Sequence, residues 1–289
     1  MEKWNTPKKP RIGIYTMGLK AYWNQFPGLR ERLLHYGQFI AEKIAEMDAE
    51  VFFYGLADCE EAGESCGEFF NAKNVDLIFA HAGTYVNSSS VLPIHQICKA
   101  PVIILNLQPT ARIAYDRTPT GEWLAHCGAC PVPELSNAFH RSGISCRIIN
   151  GLLGLDHTPD ISLTDENTAA RPEAVRAWKE ISEWVKAASV KRELSGCRFG
   201  FLGNTYNGML DMYSDFTMVQ AQTGAHIEIL EMCDLDRMLR QRTRWKKRKL
   251  KSGNFSSSVM IRPPIRWRRG RQRNSWTGPQ GWRPPRNGW

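Results

Sequence analysis

From Gln241 to Trp289 there is no aspartate or glutamate, against 15 lysines and arginines. Residues 1–240 hold the other 23 basic residues and all 29 acidic ones, a net charge of −6. The formal charge of +9 therefore describes an acidic body carrying a basic tail. No apolar run approaches the ~18 residues that a membrane span requires. The opening MEKWNTPKKPRIGIY lacks the apolar stretch of a secretion signal, so a cytoplasmic protein is expected. The chain has only eight cysteines. Without an export signal they read as thiols rather than as a disulfide framework. There is no GxSxG nucleophile elbow and no phosphate loop ending in GKS or GKT. No second CxxC and no spaced histidine pair supports a zinc site. His35, His81, His95, His140, His157 and His226 are scattered and read as structural.

What is present alternates strand and helix signals. The chain has 289 residues, 42% of them hydrophobic, which suits about two domains with a sizeable core. Arg11–Met17, Glu50–Tyr54, Val75–Ala80 and Pro101–Leu107 read as strands. Apolar spacing predicts helices over Pro27–Met47, Ala62–Ala72 and Ser90–Lys99, with Pro93 suited to a first turn. Strands without polar alternation are buried on both faces. The expected fold class is α/β, a Rossmann-like parallel sheet with helices on both faces, over residues 1–160. A long loop is expected from Ala111 to Glu134, with Asp116, Arg117 and Glu122 in open roles.

A second α/β unit is expected over 161–240. A charged helix from Pro172 ends at Gly196, the strand RFGFLGN (Arg198–Asn204) enters a glycine turn, and a helix over Asp211–Thr223 leads to the strand HIEIL (His226–Leu230). One βαβ unit cannot bury both faces of its sheet, so this domain reads as unfinished.

Residues 241–289 carry five of the ten tryptophans and no apolar periodicity. Basic runs interleaved with aromatics suit a nucleic-acid-binding arm; they equally suit a disordered, solvated tail. A third reading explains the missing acids. Arg-, Trp-, Gly- and Pro-rich text is what a GC-rich gene yields out of frame. With suitable codons, the stretch from Asn274 to Arg283 shifted by two bases reads Gln-Leu-Asp-Trp-Ala-Ala-Arg-Val-Ala. The same shift turns the basic run after Gln241 into an acidic, helix-forming sequence that matches the body.

The segments RIGIYTMGLKAYWNQFPGLRERL, APVIILNLQPTA, HCGACPVPELSNAFHRSGI and FGFLGNTYNGMLDMYSDFT resemble the L-arabinose/L-fucose isomerase superfamily, closest to its L-arabinose isomerase-like branch. The resemblance covers residues 8–240, the amino-terminal half of such a protein. It implies two Rossmann-like domains, a β-rich third domain and aldose–ketose isomerisation of an L-sugar through an enediol. It also implies a divalent metal, usually Mn²⁺, and a trimer or hexamer with active sites between subunits. The family's catalytic glutamates and metal ligands map onto nothing here, so this chain is expected to be inactive by itself. The amino-terminal domain is expected to lend sugar contacts. By position these are Lys20, Tyr22 and Trp23 after the first strand, Tyr85 after the third, and Gln108. Cys127, Cys130 and Glu134 follow in the 127–134 segment, and Asn204, Tyr206 and Asp211 in the second unit. Aromatic side chains stack on sugar rings, and loops at the carboxyl ends of parallel strands are where such sheets place ligands. The same aromatics could instead pack the rim.

Three further alternatives stay open at this stage. Cys127-Gly-Ala-Cys130 reads as a packing loop, a redox or metal pair, or a sugar-site element; Pro131 and Pro133 suggest a turn before a helix near Glu134. Gly200 and Gly203 resemble half of a dinucleotide fingerprint, but Gly208 is misplaced for GxGxxG, which favours a tight strand-to-helix turn over NAD binding. A non-catalytic sugar-binding module remains an alternative to the isomerase as a whole.

Overall fold

The computed structural model describes residues 8–157, 167–202 and 208–251. Five strands form one parallel sheet: β1 (Arg11–Met17), β2 (Glu50–Ala57), β3 (Leu77–His81), β4 (Val102–Gln108) and β5 (Cys146–Leu152). Their spatial order is β2-β1-β3-β4-β5. The order reverses direction between β1 and β3, the position where open α/β sheets leave a crevice at their carboxyl ends.

Side chains divide between the two faces with period two. Ile12, Ile14, Leu77, Phe79, Ile103 and Leu105 face a core shared with Leu33, Ile40 and Ile44 of α1 (Leu29–Ala45). Ile78, Ala80, Val102 and Ile104 face the other core. There they meet Cys66 and Phe70 of α2 (Glu60–Lys73), Val91 and Ile94 of α3 (Ser88–Ile97), and Leu135 and Phe139 of α5 (Pro131–Arg141). The result is a three-layer α/β/α sandwich, as the fully apolar strands require.

Two elements depart from expectation. Helix α6 (Pro172–Ser195), assigned by sequence to a second domain, completes the first one. Its Ala177, Ile181, Val185 and Ala188 join the α1 side of the core. Arg192 pairs with Asp76 at 3.0 Å beside the start of β3. The boundary at residue 160 therefore does not separate two cores. Pro93 sits in the second turn of α3, not in its first.

The second sheet has two parallel strands, β6 (Arg198–Leu202) and β7 (His226–Leu230), joined through α7 (Phe216–Thr223). The helix expected from Asp211 starts only at Phe216, where Asp215 caps it by accepting from the Met218 amide at 2.9 Å; a short 3-10 turn, Leu210–Met212, precedes it. Phe199, Leu202 and Ile229 are exposed. The described residues up to Leu230 belong to one compact unit, and those from Glu231 to Lys251 to another. That second unit contains α8 (Met232–Lys251), stitched by Asp234–Arg237 and Asp236–Arg240 ion pairs at 3.0 and 2.7 Å. The disordered tail expected from residue 241 thus begins inside a helix. Its remainder, 252–289, lies outside the described residues. No helix among the described residues is long and apolar enough to cross a membrane.

Candidate functional site

Three connections meet at the carboxyl ends of β1, β3 and β4. After β1 the chain makes a 3-10 turn, Lys20–Tyr22. Lys20 is exposed; Tyr22 is half-buried and meets the Phe26 ring edge-on at 5.9 Å. Trp23 serves packing. Its indole N–H donates to Asp58 at 2.6 Å, and its ring covers Gly18, where a Cβ would lie 2.7 Å from ring carbon.

After β3, the Tyr85 hydroxyl donates to Glu134 Oε2 at 3.1 Å, and the Ser88 amide donates to Glu134 Oε1 at 2.9 Å. One carboxylate of α5 therefore ties down both Tyr85 and the first turn of α3. Burial works against its charge, but the hydrogen bonds from Ser88 and Tyr85 outweigh burial and hold the carboxyl below its ordinary pKa. The reciprocal effect falls on Tyr85. The Glu134 hydrogen bond and charge raise its pKa, with smaller contributions from burial, Tyr22 and Cys130, so the phenol remains a donor.

Glu134 sits on α5 because the helix starts earlier than the sequence suggested. Pro131 occupies its first turn, where a missing N–H costs nothing. Cys130 stands at the N-cap position without a side-chain capping hydrogen bond and is exposed, while Cys127 is buried. Burial, then the hydrogen bond with Cys130 and its charge, push the Cys127 thiol up to about 12. Burial raises Tyr22 as well, and the charges of Cys127 and Cys130 add to it. Gly128 lets the Cys127–Cys130 turn lie close to the sheet: a Cβ there would stand 2.1 Å from the Ala82 carbonyl oxygen and 3.5 Å from Gln108 Nε2.

Gln108 ends β4 and donates to Asn106 at 3.0 Å; Asn106 donates to Asn150 of β5 at 2.7 Å. This amide row extends the site's floor. Gln108 also lines a cleft of about 430 Å³ with Arg112, Tyr115, Trp123 and His126, a volume within the usual range for small-molecule sites. His126 Nδ1 faces the Glu122 carbonyl at 2.8 Å and must donate to it. The neutral ring then offers Nε2 as an acceptor, and that atom has no protein partner. Burial lowers the His126 pKa, which favours this neutral form. Glu122 pairs with Arg32 of α1 and fixes α4 (Thr120–Leu124). A groove of about 500 Å³ along α6 is lined from one helix alone, Arg176 to Ala187, and gathers no convergent chemistry.

The structure thus brings Tyr22, Tyr85, Gln108, Cys127, Cys130 and Glu134 together, with Lys20 and Trp23 on the neighbouring turn. Asn204 and Tyr206 lie outside the described residues. Asp211 is exposed on the second sheet's 3-10 turn, and among the described residues no hydrogen bond or ion pair joins it to the crevice. Sequence reading missed Asn106, Trp123 and His126; the only available signal was their placement at a strand end and in a long loop. Among the described residues, no group of three or more His, Cys, Asp or Glu side chains could hold a metal ion. Of the candidate residues brought together in the crevice, Glu134 is the carboxylate, and it is already engaged by Tyr85 and Ser88. These residues do not fit a Mn²⁺ site. Comparison with protein-family models and with curated protein sequences finds no match to this chain.

Proposed function

We propose that this chain is the amino-terminal, sugar-contacting part of a cytoplasmic aldose–ketose isomerase of the L-arabinose/L-fucose isomerase type. The observation that supports this reading is the convergence of Tyr22, Tyr85 and Glu134 where the strand order reverses. A monosaccharide presents an apolar C–H face and a ring of hydroxyls. Aromatic bodies suit the first, and a carboxylate and amides suit the second. Tyr22 and Tyr85 supply the rings, while Glu134 and the Gln108–Asn106 pair supply hydroxyl partners. Neutral His126 adds an acceptor at the adjoining cleft.

Proton transfer between C1 and C2 is not assigned to these residues. Glu134 is held below the ordinary carboxyl pKa, which suits accepting hydrogen bonds more than removing a proton at neutral pH. Isomerisation, its metal and the between-subunit active site of a homo-oligomer belong to the intact protein in this proposal. The basic text after Gln241 is taken as out-of-frame; an adjacent open frame encoding an acidic continuation in the gene supports that, and its absence favours the nucleic-acid arm. The direct test is calorimetric titration of the 289-residue chain with L-arabinose and L-fucose. Saturable binding without turnover fits the proposal. Turnover by this chain, or no binding, contradicts it.

A further inference from the structure

The thiol pair in the crevice wall has chemistry that sugar contact does not use. The Cys130 amide donates to the Cys127 carbonyl at 3.1 Å. This reverse turn holds the two Cα atoms within about 7 Å, close to the roughly 4.4–6.8 Å that a disulfide spans. Both side chains leave this one turn. Gly128 seats the turn against the Ala82 carbonyl, so the pair cannot drift apart without lifting the whole turn.

Access differs between the partners. Cys130 is exposed at the start of α5, while Cys127 lies beneath it, buried. Cys66 and Cys98 also lie near one another, but both are buried and neither offers an attacking thiol. Among the described residues, the 127–130 pair joins an accessible cysteine to a sheltered one in the same turn.

We infer that Cys127 and Cys130 form a dithiol–disulfide couple that exchanges with small-molecule disulfides, Cys130 attacking and Cys127 resolving. Cys130 loses its proton to solvent and attacks one sulfur of the small disulfide. The S–S bond breaks, one thiolate leaves, and a mixed disulfide forms on Cys130. Cys127 then passes its proton to solvent and attacks Cys130 Sγ. The second small thiolate leaves as the Cys127–Cys130 bond closes. Two electrons pass from the protein pair to the small disulfide, which departs as two thiols after protonation. The couple does not depend on what the crevice binds.

The test uses the full chain, oxidised glutathione, an alkylating quench and peptide mapping. The expected map shows Cys127 and Cys130 losing alkylation together, in a peptide lighter by two hydrogens. Cys127→Ser should stop at a glutathione adduct on Cys130, and Cys130→Ser should leave Cys127 unmodified. Cys66 and Cys98 report folding, because both resist alkylation while buried; if a variant exposes them, the map of the unsubstituted chain decides alone. A lasting glutathione adduct on Cys130 in the unsubstituted chain, no reaction at either cysteine, or unchanged modification of Cys127 in a folded Cys130→Ser chain overturns the inference.

Discussion

The Tyr85 hydroxyl and the Glu134 carboxylate meet at 3.1 Å and join the β3–α3 connection to α5. The same carboxylate accepts from the Ser88 amide, so removing it unfastens two connections, while removing the phenol oxygen unfastens one. Hydrogen bonds to charged groups contribute about 1.5–3 kcal/mol, and this pair is only part-buried. Glu134→Ala should therefore lower stability by about 1 kcal/mol, and Tyr85→Phe by less. Urea denaturation of both variants checks the order; a larger loss in Tyr85→Phe contradicts it.

Gly128 is a packing requirement. A methyl group at 2.1 Å from the Ala82 oxygen cannot be accommodated unless the turn moves. Gly128→Ala should cost about 1–3 kcal/mol, as overpacking does. It should also expose Cys127 to alkylation. A variant as stable as the parent, with Cys127 still protected, would show that the turn is not seated as described.

His81 and His95 set an acid limit on the fold. Burial lowers both to about 3, and both sit against hydroxyls of β1, Thr16 at 3.2 Å and Tyr15 at 3.1 Å. The unfolded chain binds these protons near pH 6.5, the native chain only near 3. Their contribution is thus complete above 6.5 and is lost as pH falls through this window, by about 1.4 kcal/mol per pH unit for each histidine. Burial lowers His126 too, in the same sense. Unfolding free energies from urea denaturation should fall with this slope between about pH 6.5 and 5, and His95→Asn should flatten it. A pH-independent free energy contradicts the assignment.

A chain ending at residue 160 should not fold alone. It would bare the core that Ala177, Ile181, Val185 and Ala188 of α6 cover, and it would leave Asp76 without Arg192. Each large apolar side chain left exposed forfeits about 1.5–3 kcal/mol. Size-exclusion chromatography should find aggregate. A monodisperse, cooperatively melting fragment would restore the domain boundary expected from sequence.

Much of this fold is legible in the sequence because a doubly covered parallel sheet writes its strands as unbroken apolar runs. RIGIYTM and PVIILNL could be read that way. The edge strand β5 could not, because CRIINGL mixes covered and exposed positions. Helix α6 reads as a charged helix from Pro172 ended by Gly196, but a helix does not state which sheet it covers. The crevice was found by a positional rule, the carboxyl ends of β1 and β3. Its wiring was hidden: Pro131 reads as a turn until it is seen to start a helix, and nothing in the sequence shows that Gly128 rests on a carbonyl. His126 looked incidental beside the cysteines, since only the fold reveals that one ring nitrogen is satisfied and the other is free of protein partners.

We propose that the Tyr22–Tyr85–Glu134 crevice holds an L-sugar. Isothermal titration of the 289-residue chain with L-arabinose and L-fucose, repeated with Tyr22→Ala and Glu134→Gln, tests it most directly. Saturable binding of at least one of these sugars is expected, with affinity weakened about tenfold or more by each substitution, the equivalent of one lost hydrogen bond or aromatic contact of about 1.4 kcal/mol. Absence of saturable binding, or binding that both substitutions leave unchanged, would contradict it.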